Sequence, residues 1–178
     1  MSLFRATVLL AVVVLAISAA GQHRRDPLSP REVDQLRDAA QEPDIRLKLY
    51  LTFARDRLAA LDTARADPKI TDLGRETHDR LQDFLDVYDE LNDNIDTFAG
   101  RRNDIRKPLK SVIEADAEFQ NKLEALKNSV PSPKDDPKQY EFLLTSTLDT
   151  LVSSRQDHHD LLAEQEEAAK HKKLVKPE

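Results

Sequence analysis

Few side chains in this sequence stand where chemistry would need them. The candidates are the double histidine of Asp157-His158-His159-Asp160, the Glu76-Thr77-His78 pair, and a run of carboxylates between residues 72 and 98. A di-metal helical bundle needs Glu-x-x-His on two helices, with further Glu residues facing inward. No Glu-x-x-His occurs, and Glu76 and His78 are too close in sequence to share a helix face. The histidines are therefore expected to be solvated or at the edge of a core, not metal ligands. The chain has no Cys, which excludes disulfides, thiolate nucleophiles, Cys-ligated zinc and covalently attached c-type haem. There is no Gly-rich phosphate loop and no His-Glu-x-x-His, and no Ser–His–Asp spacing stands out. No catalytic, cofactor-binding or metal-ligating residue is assigned, and no cofactor is expected.

The carboxylates form the strongest bias. Residues 72–98 hold nine acids and two Arg, a net of −7. Seven of the nine, Asp72, Glu76, Asp79, Asp83, Asp86, Glu90 and Asp93, step by four and three, which on a helix is one face. Like charges at such spacings cost about 0.2–0.5 kcal/mol per neighbouring pair, so the stripe would cost an isolated helix about 1–3 kcal/mol. It reads as a solvated outer face. It could also dock a cationic partner or hold divalent cations weakly, although a straight stripe does not converge on one ion. Basic residues gather elsewhere: Arg101, Arg102, Arg106, Lys107 and Lys110 around one turn, and Lys170, Lys172, Lys173 and Lys176 near the C-terminus. In an up-down arrangement these two clusters meet at one end. There they would suit an anionic envelope component, while the dipoles of helix C-termini favour them in any case.

The elements that carry these residues are helices. Of 178 residues only three are Gly and 5% are aromatic, while 34% are charged and 39% apolar. Such a composition disfavours β-sandwiches and Gly-loop nucleotide folds. Eight of the nine Pro fall at helix boundaries. Ser29-Pro30-Arg31-Glu32 is a capping box that opens a short first helix to about Gln41, with Val33, Leu36 and Ala40 on one side. Glu42-Pro43-Asp44 opens the second, to about Ala66. Thr71 or Asp72 starts the third, which ends at Ala99-Gly100. Asn103 or Asp104 starts the fourth, to about Ser129, with Pro108 tolerated in its first turn. Asp136-Pro137 opens a fifth that reaches Lys170.

Apolar seams recur at helical period: Leu47, Leu51, Ala54, Leu58 and Leu61; Leu81, Phe84, Tyr88, Leu91, Ile95 and Phe98; Ile105, Leu109, Val112, Phe119, Leu123, Leu126 and Val130; Leu144, Leu148, Leu151 and Leu162. Four one-sided seams predict an all-α antiparallel four-helix bundle with coiled-coil-like packing. The short extra N-terminal helix should lie against the broadly apolar start of the second. Asp116, Arg155 and His158 interrupt the seams. With the last loop centred near residues 133–134, Asp116 lies level with about Leu151, one turn from Arg155, and the two are expected to form a partly buried ion pair.

The first twenty residues read as an export signal. Arg5 precedes the uncharged apolar stretch 6–20, and Ser18-Ala19-Ala20 supplies small residues for cleavage. His23-Arg24-Arg25 follows at once, which keeps an uncleaved anchor as the alternative. Loss of Arg5 alone takes the net charge from −6 to −7. The expected organisation is a signal peptide at 1–20, a flexible leader at 21–28, a single helical-bundle domain at 29–170 and a basic disordered tail at 171–178. The segment 42–58, EPDIRLKLYLTFARDRL, behind such a signal resembles uncharacterised exported helical proteins of bacteria. The resemblance implies an envelope location and no activity.

These observations predict an exported bacterial cell-envelope protein, periplasmic or extracellular. Its expected role is non-catalytic interaction or scaffolding, and the partner another envelope protein or an anionic envelope component. The alternative is a divalent-cation-binding bundle that uses the acidic third helix. Nucleic acid is not an expected partner, because the chain is acidic and lacks aromatic–basic interleaving. Membrane attachment is expected only through an uncleaved signal segment.

Overall fold

The computed structural model describes residues 26–174. The expected signal peptide, most of the leader and residues 175–178 lie outside them. The described chain is all-helical, with α1 at Pro30–Asp38, α2 at Pro43–Ala66, α3 at Leu73–Gly100, α4 at Arg106–Lys127 and α5 at Glu141–Leu174. No strand occurs among the described residues. None of these helices is long and apolar enough to cross a membrane.

The start signals act as their chemistry dictates. Ser29 Oγ accepts from Glu32 N, and Glu32 Oε2 accepts from Ser29 N at 2.7 Å, which closes the capping box. Asp72 caps α3 by accepting from Arg75 N at 3.2 Å. Helix α3 ends at Gly100 as expected, but Gly100 is not the residue that turns the chain. Gly100 stays helical, and Arg102 takes the left-handed conformation at φ 60°. Asn103 N donates to Phe98 O at 3.0 Å and Arg102 N to Ala99 O at 2.8 Å, the paired bonds of a Schellman stop. Asp136-Pro137 opens only a 3₁₀ turn, Pro137–Gln139, so α5 begins at Glu141 and continues past Lys170 to Leu174.

The helices pack by their seams. The most extensive contacts join α2 to α3 and α4 to α5; α2 also meets α4, and α3 meets α5. Polar contacts give the directions. Arg46 reaches Asn94 and Arg65 reaches Thr77, so α2 and α3 run antiparallel. Asp116 meets His158 and Ile105 meets Gln165, so α4 and α5 do too. Between these hairpins the neighbours run parallel: Arg55 with Glu118 and Asp62 with Lys122 join α2 to α4, and Asn92 with Ser154 joins α3 to α5.

Every expected seam residue of α2 and α3 is buried, as are Ile105, Leu109, Val112, Phe119, Leu123, Leu144, Leu148 and Leu151. Each such side chain contributes about 1.5–3 kcal/mol by leaving water, so the seams dominate the stability. Leu126 and Leu162 are only partly buried. Val130 departs from expectation: α4 ends at Lys127, and Val130 is exposed in the connection that follows. Phe84, Tyr88 and Phe119 cluster where α3 faces α4, with the Phe84–Phe119 rings 5.3 Å apart edge to face.

Helix α1 lies along α2. Leu36 and Ala39 are buried, Arg46 donates to Leu36 O, and Arg57 holds Glu32 through two hydrogen bonds of 2.9 and 2.7 Å. Arg57 also donates to Pro27 O, and Leu28 packs against the core, so this end of the leader is fixed to α2.

Candidate functional site

A layer of polar side chains crosses the middle of the apolar interior. Tyr88 and Asn92 come from α3, Asp116 from α4, and Ser154, Arg155 and His158 from α5. Asp116 is fully buried. Its Oδ1 accepts from Tyr88 Oη at 2.8 Å, and its Oδ2 lies 2.8 Å from His158 Nδ1, itself buried. Burial, together with the negative charge of Asp116, holds the Tyr88 phenol far above the usual tyrosine range, so it remains a donor. Asn92 donates to Ser154 at 3.1 Å, while Asn92 Oδ1 and Arg155 Nε are buried without a protein partner.

The expected Asp116–Arg155 pair is not the one formed. Asp116 meets His158 instead, and the centre of the α4–α5 hairpin lies midway between them, at residue 137. The reason is the connection. Its residues 128–140 are spent on a loop and a 3₁₀ turn laid against the start of α3, where Leu73 N donates to Lys134 O at 3.1 Å. Later entry into α5 brings a later residue level with Asp116. His158 thus belongs to the core, whereas His159 is exposed and His78 only touches Asp79, at 3.3 Å.

A second polar knot closes the end where α2 finishes and α3 begins. Arg65 donates to Thr77 Oγ1 and to Asp135 Oδ2, both at 2.8 Å, and Tyr140 Oη donates to Asp135 Oδ2 at 3.2 Å. Burial, then the charge of Asp135, raises the Tyr140 pKa against the opposing effect of Arg65. Sequence reasoning missed this knot. Thr77 was within reach, since it stands four before Leu81 in the seam. Asp135 lies in a loop, seventy residues from Arg65, where no period applies.

The acidic face of α3 is laced by its own neighbours. Arg80 bridges Glu76 at 2.8 Å and Asp83 at 3.5 Å, Arg75 approaches Asp79 at 4.0 Å, and Gln82 donates to Asp86 at 2.8 Å. Among the described residues no three His, Asp or Glu side chains form a group that could hold a metal ion.

Of the basic residues around the α3–α4 turn, Lys110 meets α5, Lys107 approaches α2 and Arg106 stays within the turn. Lys110 pairs with Glu166 at 3.1 Å, Lys107 approaches Asp44 at 3.8 Å, and Arg106 binds Asp104 at 2.8 Å. Gln165 ties the turn down: it accepts from Ile105 N at 3.0 Å and donates to Asn103 O at 3.2 Å. Beside this tie runs an open groove of about 530 Å³. Ala99, Leu161, Ala168 and Ala169 form its apolar part, with Arg102, Arg106, Asp104 and Glu164 around them. A second groove, of about 500 Å³, lies between the C-terminal ends of α2 and α4, over Leu58, Leu61, Leu123 and Leu126. Neither groove is lined by Tyr88, Asp116 or His158.

A carboxylate between a phenol and an imidazole has the chemical parts of an orienting pair for general-base work. Here its bonds point inward, to α3 and α5, and no groove described above opens onto it. What the arrangement does is clamp three helices in one register. Comparison with protein-family models, curated proteins and solved structures finds no match to this chain.

Proposed function

We propose that this chain is an exported, non-catalytic interaction or scaffold module of the bacterial cell envelope. In this reading its two antiparallel hairpins close into one four-helix bundle with coiled-coil-like seams, released by cleavage after a signal peptide at 1–20. The observation that carries the proposal is where the polar groups are spent. The strongest interior ones, Asp116, His158, Arg65 and Asp135, are turned on other side chains of the same chain. Two open grooves lie instead at the ends of the helices, apolar at the floor and charged at the rim, a pattern suited to docking.

The partner would be another envelope protein or an anionic envelope component, held in part by charge. The test is capture from envelope extract with the protein purified after expression of the full chain. A specific partner at low salt that is lost at high salt supports the reading, because exposed charges are screened within about 10 Å at 0.1 M salt. Retention of residues 1–20 overturns the cleavage, and recovery of the protein in the cytosol overturns the location. Turnover of a small substrate that is lost on removal of the interior polar groups overturns the non-catalytic role.

A further inference from the structure

Helix α1 has nine residues, too few to hold a helix alone in water. Among the described residues its backbone approaches α2 and no other helix. Two arginines of α2 grip its two ends. Arg57 donates to both carboxylate oxygens of Glu32, at 2.9 and 2.7 Å, and to Pro27 O at 2.9 Å. Arg46 donates to Leu36 O, one of the last carbonyls, which a helix end leaves without an internal partner. The two arginines stand about three turns apart on α2, about 16 Å. Tyr50 and Phe53 fall between them at steps of four, three and four, so all four share one face. Both rings are buried, 6.3 Å apart. Arg46 Nε and Tyr50 Oη are each bonded to Asn94 of α3, at 2.7 and 3.1 Å, so α3 holds this face in shape independently of α1. The seam of α2 from Leu47 to Leu61 lies on the adjoining face and is spent inside the bundle. To this surface α1 presents Glu32, Leu36 and Ala39, buried at steps of four and three.

We propose that α1 is a displaceable strap, and that its footprint on α2 is a docking site for an amphipathic helix of a partner protein. What covers the footprint states what fits it. The partner helix carries a carboxylate in its first turn for Arg57, a leucine-sized residue four positions on, and a small residue three beyond that. Its last carbonyls lie at Arg46. This is helix-in-groove recognition with a charged residue fixing the register. The tethered α1 competes at an effective concentration in the millimolar range, so a partner binds only in proportion to the time the strap spends off. The proposal rests on the reading of the chain as an interaction module and names the partner's chemistry. Capture from envelope extract tests the module, whereas the assay below needs no extract, so each can fail alone.

The probe is a synthetic peptide of residues 26–42, labelled for fluorescence anisotropy and added to protein purified after expression of the full chain. Leu36→Glu should release α1 and leave the footprint intact. The peptide is expected to bind this variant at least tenfold more tightly than the wild type. Adding Arg57→Glu should abolish that binding, and a peptide carrying Glu32→Arg should restore it, which a merely sticky apolar surface would not do. Equal binding to wild type and Leu36→Glu, or none to the variant, overturns the proposal. Loss of the bundle's helical circular dichroism in Leu36→Glu also overturns it, because α1 would then be part of the core and no strap. Hydrogen exchange on the wild type reads the same point without a variant. The α1 amides should exchange at least tenfold faster than those in the middle of α2 and α3, and equal protection refutes the strap. Wild-type dimers that Leu36→Glu abolishes would put the α1 of a second copy in the site and overturn the foreign partner.

Discussion

Asp116 is the position at which the interior is most exposed to a single change. Asp116→Ala removes the acceptor of Tyr88 Oη and the partner of His158 Nδ1, both at 2.8 Å and both buried. Hydrogen bonds to a charged group contribute about 1.5–3 kcal/mol each, and breaking a buried pair by deleting one member costs about 3–5 kcal/mol. Total stabilities of single domains run to only about 5–15 kcal/mol. The substitution should therefore remove a large share of the stability and lower Tm on the order of 10 °C. The informative comparison is with the triple variant Tyr88→Phe, Asp116→Leu, His158→Leu, which replaces the whole network by apolar groups. A polar layer adds little net stability over well-packed hydrophobic residues, so the triple variant should be about as stable as the wild type, or more so. Urea unfolding followed by helical circular dichroism gives both numbers. A loss under about 1 kcal/mol for Asp116→Ala would mean that water reaches the layer. A triple variant no better than the single one would mean that the cost lies in packing, and either result defeats the reasoning.

Four further outcomes follow from local geometry. Arg102 holds φ 60°, a conformation that disfavours any residue with a Cβ, so Arg102→Gly should raise stability by about 0.5–1 kcal/mol in the same unfolding assay. Gly74 is closed in by the α4–α5 connection: a Cβ there would meet Asp136 O at 2.7 Å, and Gly74→Ala should cost about 1–3 kcal/mol. Burial works to raise the Glu32 pKa, but hydrogen bonds from Arg57 and Ser29 and the Arg57 charge outweigh it, leaving the group below its usual 4.5. Its contribution is present above pH 4.5 and lost as pH falls through the folded value, so hydrogen exchange in α1 should rise in acid, and less so in Glu32→Gln. All three tyrosines are raised by burial. Their stabilisation holds below pH 10 and fades above it, so the folded protein should show little tyrosinate absorbance at 295 nm near pH 10, and unfolding there should release it.

What could be read from the sequence, and what could not, divides along one physical line. Burial along a helix depends on local period, and the period is written in the chain. Leu47 to Leu61 and Leu81 to Phe98 are therefore interior as their spacing requires. Register between helices depends on how many residues the connections consume. Asp116 was legible as a polar group in a seam, and His158 as another. Which of them met which turned on a 3₁₀ turn at Pro137–Gln139 that looks, in sequence, like the start of α5. The end of α3 at Gly100 was legible, but the same limit hid which residue turns the chain there. Gly100 carries the residue type that stops helices, but the left-handed residue falls where Ile105 can re-enter the core and Asn103 can reach Gln165. That geometry selects Arg102 at some cost in strain.

The two polar knots show the same line from the other side. Arg65 and Asp135 come together only because the α4–α5 connection is drawn against the first turn of α3, with Gly74 beneath Asp136 and Lys134 donating to Pro68 O. A side chain at Gly74 would push that connection outward and take Asp135 with it. Arg65 would then remain partly buried without its carboxylate, and Asp135 would move toward water. The absence of a side chain at residue 74 is thus a condition for the ion pair seventy residues apart. In Gly74→Ala the loss should accordingly appear first as faster exchange in the connection and the start of α3, with the Tyr88–Asp116–His158 layer unchanged. Loss of both knots together would instead make the interior one cooperative unit.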